Sequence, residues 1–143
     1  MKDRRVANYG FEITSLNTKL IHVGMTPDDL KLRTKQFALR VVKLIGALPK
    51  TIVGKTIGSQ LIRSGTSVAA NYRATCRARS TAEFIAKMGI VVEEADESCF
   101  WLELIIETGL LKPTLVLPLL KETQEITAIM VASSNSAHKK MKK

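Results

Sequence analysis

The sequence predicts an all-α protein, an antiparallel up-down-up-down four-helix bundle. Two observations favour this fold. Apolar residues recur at alternating spacings of three and four along four long segments, and Pro or Gly separates each segment from the next. No strand-like alternation or internal repeat competes with this pattern. Because the connections are short, consecutive helices are expected to pack side by side in opposite directions.

The bundle is expected to occupy residues 25–137. Residues 1–24 lack helical periodicity and are predicted to form an N-terminal extension that packs weakly or is disordered, with Met25 as an alternative initiator. Residues 138–143 contain four lysines and are expected to form a frayed basic tail. The predicted helices are Asp28–Leu48, Thr56–Ala78, Thr81–Thr108 and Thr114–Ser136.

Capping and breaking residues support these bounds. Thr26, followed by a proline, is typical of an N-cap ahead of the first helix. Pro49 ends that helix, and Gly54 is assigned to the loop that follows. Ser80 and Glu83 form a capping-box pattern ahead of the third helix, in which each side chain accepts a hydrogen bond from the backbone near the other.

Each helix carries one stripe of side chains that is expected to face the core. The stripe follows the spacing of three and four that places residues on one side of a helix. The predicted core positions are Leu30, Thr34, Phe37, Val41, Leu44, Leu48, Ile57, Leu61, Ser64, Val68, Tyr72, Thr75, Phe84, Met88, Val91, Ala95, Cys99, Leu102, Ile106, Val116, Leu119, Thr123, Ile126, Met130 and Ser133.

Two residues in the second helix require a structural reason. Gly65 in a helix interior costs about 1 kcal/mol relative to Ala, so a neighbouring helix is expected to approach it closely. Asn71 is expected to fix the register of the helices through a hydrogen bond across the bundle, the alternative being contact with a ligand.

The helices carry more apolar surface than one core stripe requires. Leu32 and Leu39 on the first helix, Phe100 and Trp101 on the third, and Leu115 on the fourth all lie off the predicted stripes. A wide monomer core is one interpretation of this pattern. A homo-oligomer is the interpretation we favour, because helices that are apolar on more than one side are usually buried on more than one side.

Charge is unevenly distributed, and the formal net charge of the chain is +9. Residues 25–79 contain eleven Lys or Arg and two Asp, whereas residues 80–111 contain one Lys and seven acids. In an antiparallel pairing of the second and third helices, Arg63 would lie near Glu97 or Glu93, and Arg77 near Glu83. The first helix has few acids of its own, so most of its cations are expected to remain unpaired.

A basic surface with unpaired cations favours a polyanionic partner, and we expect nucleic acid, either RNA or DNA. A phosphate-binding corner is predicted at Arg77–Thr81, where arginine side chains meet the N-terminus of the third helix. The candidate nucleic-acid contacts are Arg33, Lys35, Arg40, Lys43, Arg73, Arg77 and Arg79.

The sequence lacks the residue sets of common enzyme classes. His22 and His138, its two histidines, both lie outside the predicted bundle, so neither a Glu-x-x-His di-iron site nor a Ser-His-Asp arrangement can be assembled in it. We therefore expect no catalytic site, metal or cofactor. Cys76 and Cys99 are predicted to be free thiols, as suits a reducing cytoplasm. No apolar run approaches the length of about 20 residues that spans a membrane.

Several separated motifs agree in order and spacing with one family. The chain resembles the four-helix-bundle proteins encoded by intervening sequences of bacterial 23S ribosomal RNA genes, over about Met25–Ala137. Some members carry an acid directly after the Asn-Tyr-Arg triplet, where this chain has Ala74. The matching segments are Gln60–Val68, Ala70–Arg73, Cys76–Ser80, Glu83–Lys87, Glu93–Glu97 and Trp101–Glu103.

The resemblance implies a bundle that assembles into a ring, a homopentamer. A group similar in fold, the accessory variability determinants of diversity-generating retroelements, binds nucleic acid and a reverse transcriptase through a basic surface. Two hypotheses for function follow. The first is a non-enzymatic oligomeric bundle that binds nucleic acid mainly by phosphate contacts. The alternative is a protein–protein adaptor or accessory subunit, for example for a reverse transcriptase, without a direct nucleic-acid function.

Overall fold

The computed structural model describes residues 24–142, and this part of the chain contains four α-helices and no strand. The helices are α1 (Pro27–Ile45), α2 (Ile52–Thr75), α3 (Thr81–Glu107) and α4 (Pro113–Met141). Each helix packs extensively on the next in the chain, whereas α1 and α4 make a smaller contact. The all-α class and the four helices are confirmed. The N-terminal extension predicted at residues 1–24 lies, apart from Gly24, outside the described residues.

The first two helices begin at threonine caps. The Thr26 Oγ1 atom accepts a hydrogen bond from the Asp29 N–H at 3.1 Å, and the Asp29 carboxylate accepts one from the Thr26 N–H at 2.9 Å. The bond from the Thr26 backbone lowers the pKa of Asp29. Helix α2 begins four residues before the predicted Thr56, because the Thr51 hydroxyl accepts a hydrogen bond from the Gly54 N–H at 3.1 Å. Gly54 therefore lies in the first turn of a helix and not in a loop.

Three helix ends also differ from the prediction. Helix α1 ends at Ile45, three residues before the predicted Leu48, and Gly46 is its C-cap. Helix α2 ends at Thr75, three residues before the predicted Ala78. Helix α4 continues to Met141, through most of the segment predicted as a frayed basic tail. Ala137, directly before that segment, is the last buried residue, and residues 138–142 are exposed.

The predicted core stripes form the core. Nearly all of their side chains are buried, and Leu44, Phe84, Ile106 and Ser133 are half-buried at its edges. The buried hydroxyl groups are paired: Thr34 donates to the Leu30 carbonyl oxygen at 2.8 Å. Ser98 and Ser64 share a hydrogen bond of 2.9 Å between α3 and α2. The core therefore contains serine and threonine residues whose hydroxyl groups form hydrogen bonds within it.

The close approach predicted at Gly65 is confirmed. A Cβ atom on Gly65 would lie 3.0 and 3.1 Å from the two methyl carbons of Val41, which is fully buried on α1. Two turns nearer the start of α2, a Cβ on Gly58 would lie 3.1 Å from the Leu48 Cδ1 atom. Small residues thus let the backbones of α1 and α2 approach each other closely over several turns.

Asn71 does not form the predicted bond across the bundle. Its amide nitrogen donates to the Ser67 carbonyl oxygen at 2.8 Å, one turn earlier in the same helix. This local bond explains the difference, because a short amide side chain reaches its own backbone more easily than a neighbouring helix. Two turns earlier in α2, the hydrogen bond between Ser64 and Ser98 links α2 to α3 inside the core.

Gly65→Ala should destabilise the fold by up to about 2 kcal/mol. The added methyl group must displace Val41, an overpacking cost of about 1–3 kcal/mol, while the gain in helix propensity is about 1 kcal/mol. Urea unfolding followed by circular dichroism measures the difference. Gly89→Ala on α3 is the matched control, because a Cβ there meets no atom within 4 Å and should stabilise the protein slightly. Equal or greater stability of Gly65→Ala would contradict the close-packing role.

Candidate nucleic-acid interface

A groove on the outer side of α1 and α2 collects four basic residues. Lys31 and Lys35 lie one turn apart on α1, and Arg73 and Arg77 lie four residues apart at the end of α2 and in the turn after it. The antiparallel packing of the two helices places these pairs opposite each other. We call this cavity of 540 Å³ the basic groove; its lining is Asp28, Lys31, Leu32, Lys35, Thr66, Ala69, Ala70, Arg73 and Arg77.

Most of the positive charge in the basic groove is not neutralised. Lys31 has a weak pairing, in which its Nζ atom lies 3.8 Å from the carboxylate of the almost fully exposed Asp28. Lys35, Arg73 and Arg77 form no salt bridge within residues 24–142. Thr66 and the two alanines on the floor are small, so a bulky ligand can approach the helix backbones. The groove therefore contains three cations without a salt-bridge partner among the described residues, and its small side chains leave space for a ligand between them.

The expectation that Arg33 and Arg40 are unpaired was wrong. The Arg33 Nε atom donates to Glu122 at 2.8 Å, and its Nη2 atom donates to Glu125 at 2.6 Å. Arg40 lies 3.6 Å from the second oxygen of Glu122. About four-fifths of the Arg33 side chain is buried between α1 and α4. Arg33 is thus an internal clamp between these two helices and does not face a ligand.

The other predicted contacts are distributed over two further places. Arg40 and Lys43 line a cavity of 330 Å³ between α1 and α4, together with Leu115 and Leu119. Arg79 lines a cavity of 620 Å³ at the end of the bundle where α2 meets α3. The structure thus brings together Lys35, Arg73 and Arg77 of the seven predicted residues, and it adds Lys31, which the prediction did not include.

The predicted phosphate corner is divided between two surfaces. Arg77 belongs to the basic groove, whereas Arg79, Ser80 and Thr81 line the end cavity. Ser80 is the N-cap of α3, as predicted, and its hydroxyl accepts a hydrogen bond from the Glu83 N–H at 3.1 Å. The corner therefore does not present all its cations to a single ligand.

Glu83 already supplies an anion at this helix end. Its carboxylate accepts a hydrogen bond from the Arg79 N–H at 2.7 Å and lies 3.5 Å from the Lys87 Nζ atom, so the predicted pairing with Arg77 is not formed. The bond from the Arg79 backbone lowers the pKa of Glu83, which keeps the carboxyl group ionised. A negative charge next to the start of α3 opposes a phosphate there, and Arg77 stays available to the groove.

The basic surface has an acidic counterpart on α3. Arg63 forms salt bridges with Glu97 and, at 3.3 Å, with Glu94, which confirms the antiparallel pairing predicted for Arg63 and Glu97. Burial raises the pKa of Glu103, and the nearby carboxylates of Glu107 and Asp96 add to the shift. Asp96, Glu103 and Glu107 form no salt bridge within residues 24–142, so this side of α3 carries negative charge that the described part of the protomer does not neutralise.

The two cysteines are free thiols, as predicted. Burial raises the pKa of the Cys99 thiol to about 12, with Asp96 and Glu103 adding to the shift, so the thiol is protonated at neutral pH. Burial also raises the pKa of the Tyr72 phenol, and the neighbouring Cys76 contributes. Residues 24–142 contain no group of three or more His, Cys, Asp or Glu that could hold a metal ion. None of their helices is sufficiently long and apolar to cross a membrane.

The sequence profile of the 23S rRNA-intervening sequence protein family matches residues 29–132, which include all of α2 and α3 and most of α1 and α4. The chain belongs to this family. Its structure is similar to the crystal structure of a protein with unknown function from the S23 ribosomal protein family of Bacteroides thetaiotaomicron VPI-5482. The two chains are 31% identical, with a TM-score of 0.67 over 78% of this chain and 99% of the other. No curated protein matches this chain.

Arg33→Met should lower the free energy of unfolding by about 1–2 kcal/mol. The substitution leaves the partly buried Glu125 without a cation and Glu122 with only Arg40 at 3.6 Å, which costs more than the loss of an exposed salt bridge. Gln36→Met on the exposed side of α1 is the matched control and should change stability by less than about 0.5 kcal/mol. Chemical denaturation measures both variants. If both variants unfold at the wild-type midpoint, Arg33 does not clamp α1 to α4.

Proposed function

We propose that this protein is a non-enzymatic, oligomeric bundle that binds RNA or DNA through the basic groove, mainly by contacts to phosphates. The convergence of Lys35, Arg73 and Arg77 on one open groove is the observation that supports this function. Without a salt bridge to a described residue, these cations lose little when they bind an anion. The two arginines can each hold two phosphate oxygens through their planar guanidinium groups.

The composition of the basic groove favours binding with little base specificity. No aromatic residue lines the groove, so it offers no surface on which bases could stack. The shallow floor of Thr66, Ala69 and Ala70 suits the sugar-phosphate backbone, which carries no sequence information. Binding of this kind depends on the release of counterions and therefore weakens steeply with salt.

Self-association is part of the proposed function. The family resemblance implies a ring, and we propose a homopentamer in the cytoplasm, where Cys76 and Cys99 would stay reduced. Large exposed apolar side chains, including Leu39 on α1, Ile62 on α2 and Phe100 on α3, support burial against another chain. A ring presents several basic grooves to one polyanion, so the affinity of the assembly can far exceed that of a single groove.

Charge reversal in the basic groove should weaken binding at least about tenfold. The variant Arg73→Glu/Arg77→Glu removes two phosphate contacts, and each contact contributes about 0.9 to the slope of log affinity against log salt on duplex DNA and about 0.7 on single strands. Fluorescence anisotropy with labelled RNA and DNA at several salt concentrations measures both the affinity and this slope.

The control is Lys112→Glu/Lys121→Glu, which changes the net charge by the same amount at exposed positions around the start of α4. It should bind nearly as tightly as the wild type. Equal weakening by both variants would show that net charge, and not the groove, determines binding. Absence of binding to any nucleic acid at low salt would refute the function. A stoichiometric protein partner that survives nuclease and high salt during purification would then favour the adaptor hypothesis.

A further inference from the structure

The outer side of α1 and α2 has an apolar half next to the basic groove. Leu39 and Val42 lie one turn apart on α1 and are 61% and 48% exposed, and Ile62 on α2 is 37% exposed. Ile62 also lines a second depression between α1 and α2, at the end of α1, together with Ile45 and Lys55. Lys55 lines the same depression, and Lys43 borders these apolar side chains on the side of α4. Neither lysine forms a salt bridge with a described residue. We call this surface, made of Leu39, Val42, Lys43, Lys55 and Ile62, the basic-apolar face.

Helix α3 carries a surface of opposite charge and similar apolar character. Phe100 is 53% exposed, and its ring is held edge-on against Trp101 with the ring centroids 4.9 Å apart. Four acids share its side of the helix because they follow the spacing of three and four, and they form no salt bridge within the described residues. We call this surface the acidic-apolar face; it is made of Glu93, Asp96, Phe100, Glu103 and Glu107.

The two faces lie at the same level of the bundle. Ser64 and Ser98 share a hydrogen bond between α2 and α3. Ile62, two residues before Ser64, therefore lies level with Phe100, two residues after Ser98, because the helices are antiparallel. On α1, Val41 lies against Gly65, which places Val42 close to the same level. A neighbouring copy could thus dock without sliding along the bundle axis.

We propose that the basic-apolar face of one protomer docks on the acidic-apolar face of a second copy of this chain. The interface buries the apolar side chains of both faces against each other and neutralises lysines with carboxylates that have no partner within the protomer. Because the two faces differ, the contact is head-to-tail and each protomer keeps one free face for the next copy. A head-to-tail contact without a shift along the axis is compatible with a ring, which forms when the rotation between neighbouring protomers closes on itself. This inference rests on the self-association included in the proposed function.

The docking can be tested with two variants that each disable one face. Leu39→Glu/Val42→Glu places two acids on the basic-apolar face, and Phe100→Lys places a cation on the acidic-apolar face. All three positions are exposed and receive a good helix former, so the fold should be retained, which circular dichroism checks. Light scattering coupled to size-exclusion chromatography should show each variant as a monomer of 15.8 kDa.

Mixing the two variants distinguishes a head-to-tail contact from a symmetric one. Each variant retains one intact face, and the two intact faces are complementary, so an equimolar mixture should form a dimer of twice the monomer mass and no larger species. The control is Leu115→Glu, an exposed leucine of α4 outside both faces, which should leave the wild-type mass unchanged.

The outcomes separate this proposal from the one on which it rests. If the wild-type protein is a monomer at micromolar concentration, both the proposed self-association and the docking are refuted. A wild-type oligomer whose mass is unaffected by either face variant overturns only the assignment of the faces. A mixture that remains monomeric overturns the head-to-tail contact. Nucleic-acid binding is measured separately with the variant Arg73→Glu/Arg77→Glu and its control, so its outcome does not depend on these results.

Discussion

The contact between Gly65 and Val41 is the constraint on which the rest of the architecture depends. Because Val41 occupies the space where a Cβ would stand, α1 lies close against α2. The contact between α1 and α4 is smaller. These two helices are joined by the salt bridges of Arg33 with Glu122 and Glu125 more than by apolar packing. The same approach aligns the first turns of α1 with the last turns of α2, so that the basic residues of both helices meet in the basic groove.

Most of the fold could be predicted from the sequence because its signals are local. The spacing of Leu61 and Val68 on α2, and of Val91 and Leu102 on α3, indicates which side of each helix is buried. All four side chains are buried in the structure. Ser80 is likewise recognisable as a cap from the residues next to it. The start of α2 was missed because a glycine in a first turn looks like a loop residue until the hydroxyl that caps it is seen.

The candidate site was less predictable because its charges are paired by long-range packing. The partners of Arg33 lie about ninety residues later, on a helix that is basic overall, so nothing near Arg33 in the sequence signals its role. Glu83 shows the same difficulty at short range, since it bonds the Arg79 backbone and not the Arg77 side chain. Lys31 was overlooked because its position opposite Arg73 follows from the closeness of α1 and α2 and not from any motif.

The outer side of α1 and α2 thus has two chemically different halves. The half at the start of α1 holds the basic groove, and the half nearer its end holds the basic-apolar face. Docking of a neighbour on the apolar half leaves the groove uncovered, so self-association and anion binding are compatible on one side of the bundle. In a ring without axial shift, every protomer would present its groove at the same end. The grooves would then form one circle of positive charge, which a single phosphate backbone could follow from protomer to protomer.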